Sequence, residues 1–87
     1  MEEYVLVRFS KKTGKIDTLH EGISAAVMKL WALQNTKKTK DTIIFSKETG
    51  DVICWVRGTS DFPKVAEDSL GNIEDLCSGL LEYVRNN

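Results

Sequence analysis

Apolar and polar residues alternate along this chain in short segments that predict two β-hairpins, each followed by a helix. In the first segment Val5, Val7 and Phe9 recur at every second position, which is the period of a strand with one buried face. The second segment is weaker because Asp17 interrupts its apolar residues. The four predicted strands cover residues 4–9, 16–19, 41–45 and 52–57.

The two predicted hairpins share a repeated phrase. Residues 9–16 read FSKKTGKI, and residues 45–52 read FSKETGDV, 36 positions further along. Glycine can adopt the positive φ that closes a tight turn with a bulge. Self-similarity at a fixed interval indicates one supersecondary unit used twice. The same interval separates the glycines of two pairs, Gly14 with Gly50 and Gly22 with Gly58.

A helix is predicted after each hairpin. Residues 23–35 are rich in good helix formers, and Gly22 or Ser24 can cap their start. A second helix is expected to begin at Pro63, since proline suits the first helical position, and to break near Gly71. Beyond that break the apolar side chains recur at three- and four-residue steps, as on one face of a helix. They are Ile73, Leu76, Cys77, Leu80, Leu81 and Val84.

These elements predict an α+β fold with the order ββαββα, in which a four-stranded antiparallel sheet packs with two helices. The chain has 87 residues, 41% of them hydrophobic and 29% charged, as in an ordinary globular protein with a single core. We therefore expect one domain over residues 1–87, with a first ββα unit at 4–38 and a second at 40–86.

Two predicted surfaces carry more apolar area than one subunit needs. Lys29 is the only charged residue between positions 22 and 36, so the first helix is apolar most of the way round. In the second hairpin, one face of the strands is expected to fill the core with Ile43, Phe45, Val52, Cys54 and Val56. The opposite face then presents Ile44, Ile53 and Trp55.

This excess has two interpretations. The second hairpin could occupy the centre of the sheet, with the first helix between the sheet and the second helix. Alternatively, one or both surfaces form an interface with another subunit or partner, since exposed apolar patches and tryptophans are typical of interaction sites. The candidate interface residues are Ile44, Ile53, Trp55, Met28 and Trp31.

The residues suited to catalysis or metal binding are few. His20 is the only histidine, and Cys54 and Cys77 lack the spacing of a zinc site. Both cysteines lie in apolar patterns and are expected to be buried thiols. The carboxylates of Glu74 and Asp75 suit the start of a helix, where the dipole favours negative charge. We therefore expect no enzyme activity and no catalytic, cofactor or metal site.

Charge is divided unevenly along the chain. The net charge is −1, but residues 1–44 carry +3 and residues 45–87 carry −4. Lysines in the first turn and in the connector after the first helix could contact nucleic-acid phosphates. Against this, Glu48 and Asp51 replace lysines in the second turn. The candidate nucleic-acid contacts are Lys11, Lys12, Lys15, Lys37, Lys38 and Lys40.

The sequence favours a small non-enzymatic module that acts by protein–protein contact or regulation, forms a homodimer and works in the cytoplasm. Cytoplasmic location is expected because the N-terminal residues are acidic rather than basic and no apolar segment approaches the length of a membrane span. The alternative is an accessory protein that binds nucleic acid through the basic first turn and connector.

Overall fold

The structure, a computed structural model, describes residues 1–86 and has an α+β fold. Five strands and three helices are present in this part of the chain, rather than the four strands and two helices expected. In chain order they are β1 (Tyr4–Ser10), β2 (Ile16–Gly22), α1 (Ala25–Asn35), β3 (Lys40–Ser46), β4 (Val52–Arg57), β5 (Lys64–Ala66), α2 (Ile73–Leu76) and α3 (Leu80–Asn86).

All five strands form one antiparallel sheet in the order β2-β1-β3-β4-β5. Helix α1 covers one face, where Met28 and Ala32 pack on Leu6 and Ile44. Helices α2 and α3 cover the opposite face. The central strands β1 and β3 are therefore buried on both faces, which explains their continuous apolar runs. The first helix does not lie between the sheet and the later helices, as one interpretation of the sequence required.

The sequence repeat is reproduced in the two hairpins at the level of single hydrogen bonds. The Gly14 amide donates to the Ser10 carbonyl over 2.8 Å, and the Gly50 amide donates to the Ser46 carbonyl over the same distance. Both glycines have a positive φ, of 73° and 81°. The hairpins meet through β1 and β3, where Val7 pairs with Ile43, its own counterpart 36 residues away.

A β-bulge occurs at the equivalent position of both hairpins. Because of it, the side chains that lie on the same face of the sheet differ from those predicted. In the second hairpin Ile44 pairs with Cys54, but the next residue, Phe45, pairs with Val52, which leaves Ile53 as the extra residue. A bulge shifts the alternation of side chains by one position. Cys54 therefore lies on the α1 face with Ile44, and Trp55 lies on the opposite face.

The second unit departs from the first after its hairpin. Pro63 precedes strand β5 instead of opening a helix. A break does occur near Gly71, whose φ is 82°, and Asn72 then caps α2. The predicted apolar helix is divided into two short helices around Gly79, which also has a positive φ. The ββαββα repeat thus holds for the two hairpins and fails beyond β4.

Candidate interaction surfaces

The outer side of α1 is an exposed apolar stripe. Ile23, just before the helix, and Val27, Leu30 and Leu33 within it are 60, 65, 56 and 44% exposed. Their spacing of four, three and three residues places them along one side of the helix. The opposite side of α1 already packs on the sheet. The helix is therefore apolar on both sides, and only one side packs against other parts of residues 1–86.

Val27 of this stripe also lines a depression, and the one charged residue of α1 is paired. This depression has a volume of about 250 Å³ and is also lined by Met28 and Trp31. The only charged residue of α1, Lys29, pairs with the Glu67 carboxylate at 2.8 Å. The hydrogen bond that Lys29 donates to this carboxylate raises the pKa of Lys29. We call Ile23, Val27, Leu30 and Leu33 the α1 surface.

Strand β2 adds a free sheet edge beside the α1 surface. It is the outermost strand on its side of the sheet and has seven residues, so one row of its backbone groups has no strand neighbour within residues 1–86. The other edge strand, β5, has only three residues. A long edge strand is a template for pairing with another chain, whereas a short one is not.

The interface residues expected from sequence are divided between the two faces of the sheet, four on the α1 face and Trp55 on the other. Ile44 and Met28 are 0 and 3% exposed, so they are core residues with almost no surface for a partner. Ile53 is half-buried on the α1 face. Trp31 is half-buried, with the guanidinium carbon of Arg8 5.6 Å from its ring centre. These four residues and Trp55 do not form one patch.

Trp55 is half-buried on the face opposite α1. Its Nε1 donates to Asp41 Oδ2 over 3.1 Å, and the Gly58 amide donates to the other carboxylate oxygen over 3.1 Å. Asp41 is itself 7% exposed. The indole nitrogen is thus committed to an internal hydrogen bond, and this buried carboxylate ties β3 to the segment after β4.

The lysines expected to contact nucleic acid converge at one end of the sheet. The backbone amide of Lys11, in the first turn, donates to the Thr39 carbonyl of the connector over 3.0 Å, and Ser10 pairs with Lys40. We call the six lysines at positions 11, 12, 15, 37, 38 and 40 the basic end. Lys11 pairs with Asp41 and Lys40 pairs with Asp17. The other four form no salt bridge within residues 1–86.

A salt-bridge network adjoins the basic end through Lys40. The guanidinium of Arg8 holds the Asp17 carboxylate, with Nε 2.9 Å from Oδ1, and also donates to the Asn35 carbonyl at the end of α1. Hydrogen bonds from Arg8, and then from Lys40, hold the pKa of Asp17 well below its ordinary value. Asp17 is also the bulge residue of the first hairpin, so the network fixes that bulge to α1.

The two cysteines differ in environment. Cys54 is fully buried, as expected, and burial raises the pKa of its thiol. Cys77 is exposed, which corrects the expectation that both thiols are buried. It lies just past α2, where the predicted continuous helix is interrupted. His20 is exposed on β2, and within residues 1–86 no three His, Cys, Asp or Glu side chains are grouped to hold a metal ion.

The sequence already contained the spacing of Ile23, Val27, Leu30 and Leu33, but it also placed Met28, Trp31 and Ala32 on a second apolar side of the helix. The structure shows which of these two apolar sides of the helix packs against the sheet. Among residues 1–86 no helix is long and apolar enough to cross a membrane. Comparison with family models, curated proteins and solved structures gave no match to this chain.

Proposed function

We propose that this protein is a non-enzymatic interaction module of the cytoplasm that forms a homodimer through the α1 surface. The observation that carries the proposal is the stripe of four exposed aliphatic side chains along α1 and the residue just before it, Ile23. Contiguous exposed apolar surface of this kind is typical of protein–protein contact sites. A cytoplasmic setting suits the exposed Cys77, because a reducing compartment keeps such a thiol free.

A second copy of the chain is a fitting partner for this surface. A two-fold interface brings the same patch of each subunit together, so the patch must be complementary to itself. An aliphatic stripe without charges meets that requirement, because the one charge of the helix, on Lys29, is paired with Glu67. The adjoining edge of β2 offers backbone groups that could pair with the same strand of the second copy.

The proposal is tested by measuring mass in solution while the α1 surface is altered. Light scattering is expected to give twice the chain mass of 9.8 kDa for the parent. Val27→Glu is expected to give the monomer mass, because the dimer would bury an unpaired carboxylate. Glutamate is a better helix former than valine, so α1 is expected to remain folded.

Val65→Glu is the matched control, since Val65 is also exposed but lies on β5 at the other edge of the sheet. This variant is expected to remain dimeric. A parent that stays monomeric at millimolar concentration would refute the homodimer. A Val27→Glu variant that keeps the dimer mass would show that α1 is not the interface.

A second candidate function, nucleic-acid binding, is favoured by the convergence of the turn and connector lysines. Four of the six have no acidic partner within residues 1–86, so they are available to phosphates. Phosphate contacts of this kind give affinity without sequence preference. The basic end begins where α1 ends, but none of its lysines belongs to the α1 surface, so the two functions are compatible.

Fluorescence anisotropy with single-stranded and duplex oligonucleotides at 20 and 200 mM salt tests this second function. Binding is expected to weaken steeply with salt and to be lost when Lys12, Lys15, Lys37 and Lys38 are all changed to glutamine. Lys29→Gln removes a positive charge from α1 and should have little effect. An absence of binding at the lower salt concentration would refute the idea.

A further inference from the structure

The face of the sheet opposite α1 contains an apolar cavity of about 240 Å³. Its floor is formed by strands β1 to β4 and its roof by α2 and α3. Phe9, Ile16 and Trp55 line it from the sheet, and Leu76 and Cys77 line it from the roof. The first three are half-buried and the last two are exposed, so the cavity has an open mouth.

The cavity arises because the roof is short and is fastened at one end of the sheet. The Ile73 amide donates to the Gly50 carbonyl over 2.8 Å, and Arg85 Nε donates to the Lys47 carbonyl over 3.2 Å. Both bonds hold the helices to the second turn. With four and seven residues, α2 and α3 leave the sheet near Phe9 incompletely covered.

The walls of the cavity offer almost nothing to a polar ligand. Among its lining residues that the structure describes, only Trp55 and Cys77 carry a polar side-chain atom. The indole nitrogen of Trp55 already donates to Asp41. A charged group inside would therefore lose its hydration without gaining a partner. Water is poorly accommodated for the same reason, since a buried water molecule needs two or more polar partners.

The volume sets the size of the occupant. An engineered apolar cavity of about 150 Å³ remains dry and binds benzene. In proportion, about 240 Å³ accommodates about ten non-hydrogen atoms. We propose that this cavity is a binding site for a neutral apolar molecule of that size, entering between Phe9 and Leu76. The site is on the opposite face from the α1 surface and does not depend on the proposed dimer.

Trp55 makes the site directly measurable. The chain has two tryptophans, so Trp31→Phe leaves Trp55 as the only one. 4-Bromotoluene is a suitable probe because bromine quenches indole fluorescence on contact. It is expected to quench Trp55 saturably, whereas 4-bromobenzoate, of similar shape but charged, should bind at least tenfold more weakly.

Leu76→Phe, made in the Trp31→Phe background, is expected to narrow the mouth and weaken 4-bromotoluene binding at least fivefold. Leu33→Phe is the control, since it is the same substitution at a similar exposure, 44 against 45%, on the other side of the sheet. Equal quenching by the two compounds, quenching that does not saturate, or no effect of Leu76→Phe in a folded variant would overturn the proposal.

Thermal unfolding keeps the test decisive if Leu76→Phe does not fold. A ligand that binds only the native state raises the unfolding temperature, and the stabilisation grows with the logarithm of one plus the ratio of free ligand concentration to Kd. 4-Bromotoluene should therefore raise the midpoint of the Trp31→Phe chain, and 4-bromobenzoate at the same concentration should not. No shift with 4-bromotoluene would also overturn the proposal.

Discussion

The α-carbon of Gly58 lies against the backbone carbonyl of Lys37. A β-carbon at position 58 would overlap the Lys37 and Lys40 carbonyl oxygens and lie 2.7 Å from the Lys37 carbonyl carbon. This approach packs the end of β4 against the connector between α1 and β3. At Gly22, the equivalent residue of the first hairpin, such a β-carbon would meet only the terminal methyl carbon of Met28, at 3.2 Å. The two repeated glycines thus have different surroundings.

Gly58→Ala is expected to lower the free energy of unfolding by about 3 kcal/mol or more, since backbone atoms of the connector would have to move. Gly22→Ala is the matched control and should cost about 1 kcal/mol or less, because the end of a methionine side chain can shift. Urea unfolding of the three proteins checks this. Similar losses in the two variants would contradict the close approach at Gly58.

Asp41→Ala is expected to destabilise the protein by about 2–4 kcal/mol, because the Trp55 indole and the Gly58 amide would both lose their acceptor. Asp41→Asn keeps one carbonyl oxygen and should lose about half as much. Chemical denaturation followed by circular dichroism measures both values. If the two variants were equally stable, the carboxylate would not be acting as a double acceptor.

The stability of the protein is expected to depend on pH through Asp17. Hydrogen bonds from Arg8 and Lys40 hold the pKa of this carboxyl below its ordinary value of about 3.9. The ionised form therefore stabilises the folded state, fully above about pH 5, and this contribution is lost as pH falls through the folded pKa. Urea unfolding from pH 5 to pH 2 should show a steeper decline for the parent than for Asp17→Asn.

Because Asp17 is exposed at the protein surface, salt should reduce this difference between the parent and Asp17→Asn. Asp61→Asn is a suitable control, since Asp61 makes no salt bridge within residues 1–86. It should leave the pH dependence close to that of the parent. Identical slopes for the parent and Asp17→Asn would show that the Arg8 contact contributes nothing to stability.

The two thiols are expected to react at very different rates. A chromogenic disulfide reagent should modify one cysteine per folded chain quickly, namely the exposed Cys77, and reach Cys54 only on unfolding. The high pKa of the buried thiol slows it further. Cys77→Ser should abolish the fast reaction and leave the slow one. Two fast thiols in the folded parent would contradict the burial of Cys54.

Much of the hairpin structure could be predicted from local sequence. Glycines 14 and 50 close equivalent turns because their positive φ is a local requirement of the backbone. The α1 helix and its Ser24 cap are also local features. The bulge at Asp17 and Ile53 was not predicted, since it is visible only as a shift of register between strands. That single shift moved Trp55 away from Ile44.

The candidate sites were predicted only in part. The basic residues form two separate groups in the sequence, and their meeting at one end depends on the pairing of Ser10 with Lys40. The α1 surface escaped prediction because both sides of the helix are apolar. The roof of the cavity was predicted from sequence periodicity as one continuous helix. The positive φ of Gly79 instead divides it into α2 and α3.

By itself the sequence determined the repeated turns, the first four strands and the helical character of residues 25–35, because these depend on neighbours a few positions away. Only the tertiary structure decided that β1 and β3 pair at the centre, that β5 comes after Pro63, and that the helices take opposite faces. Burial of both faces of the central strands needs apolar cover on each side. Which segment provides it depends on contacts between residues far apart in the chain, and no local pattern specifies those contacts.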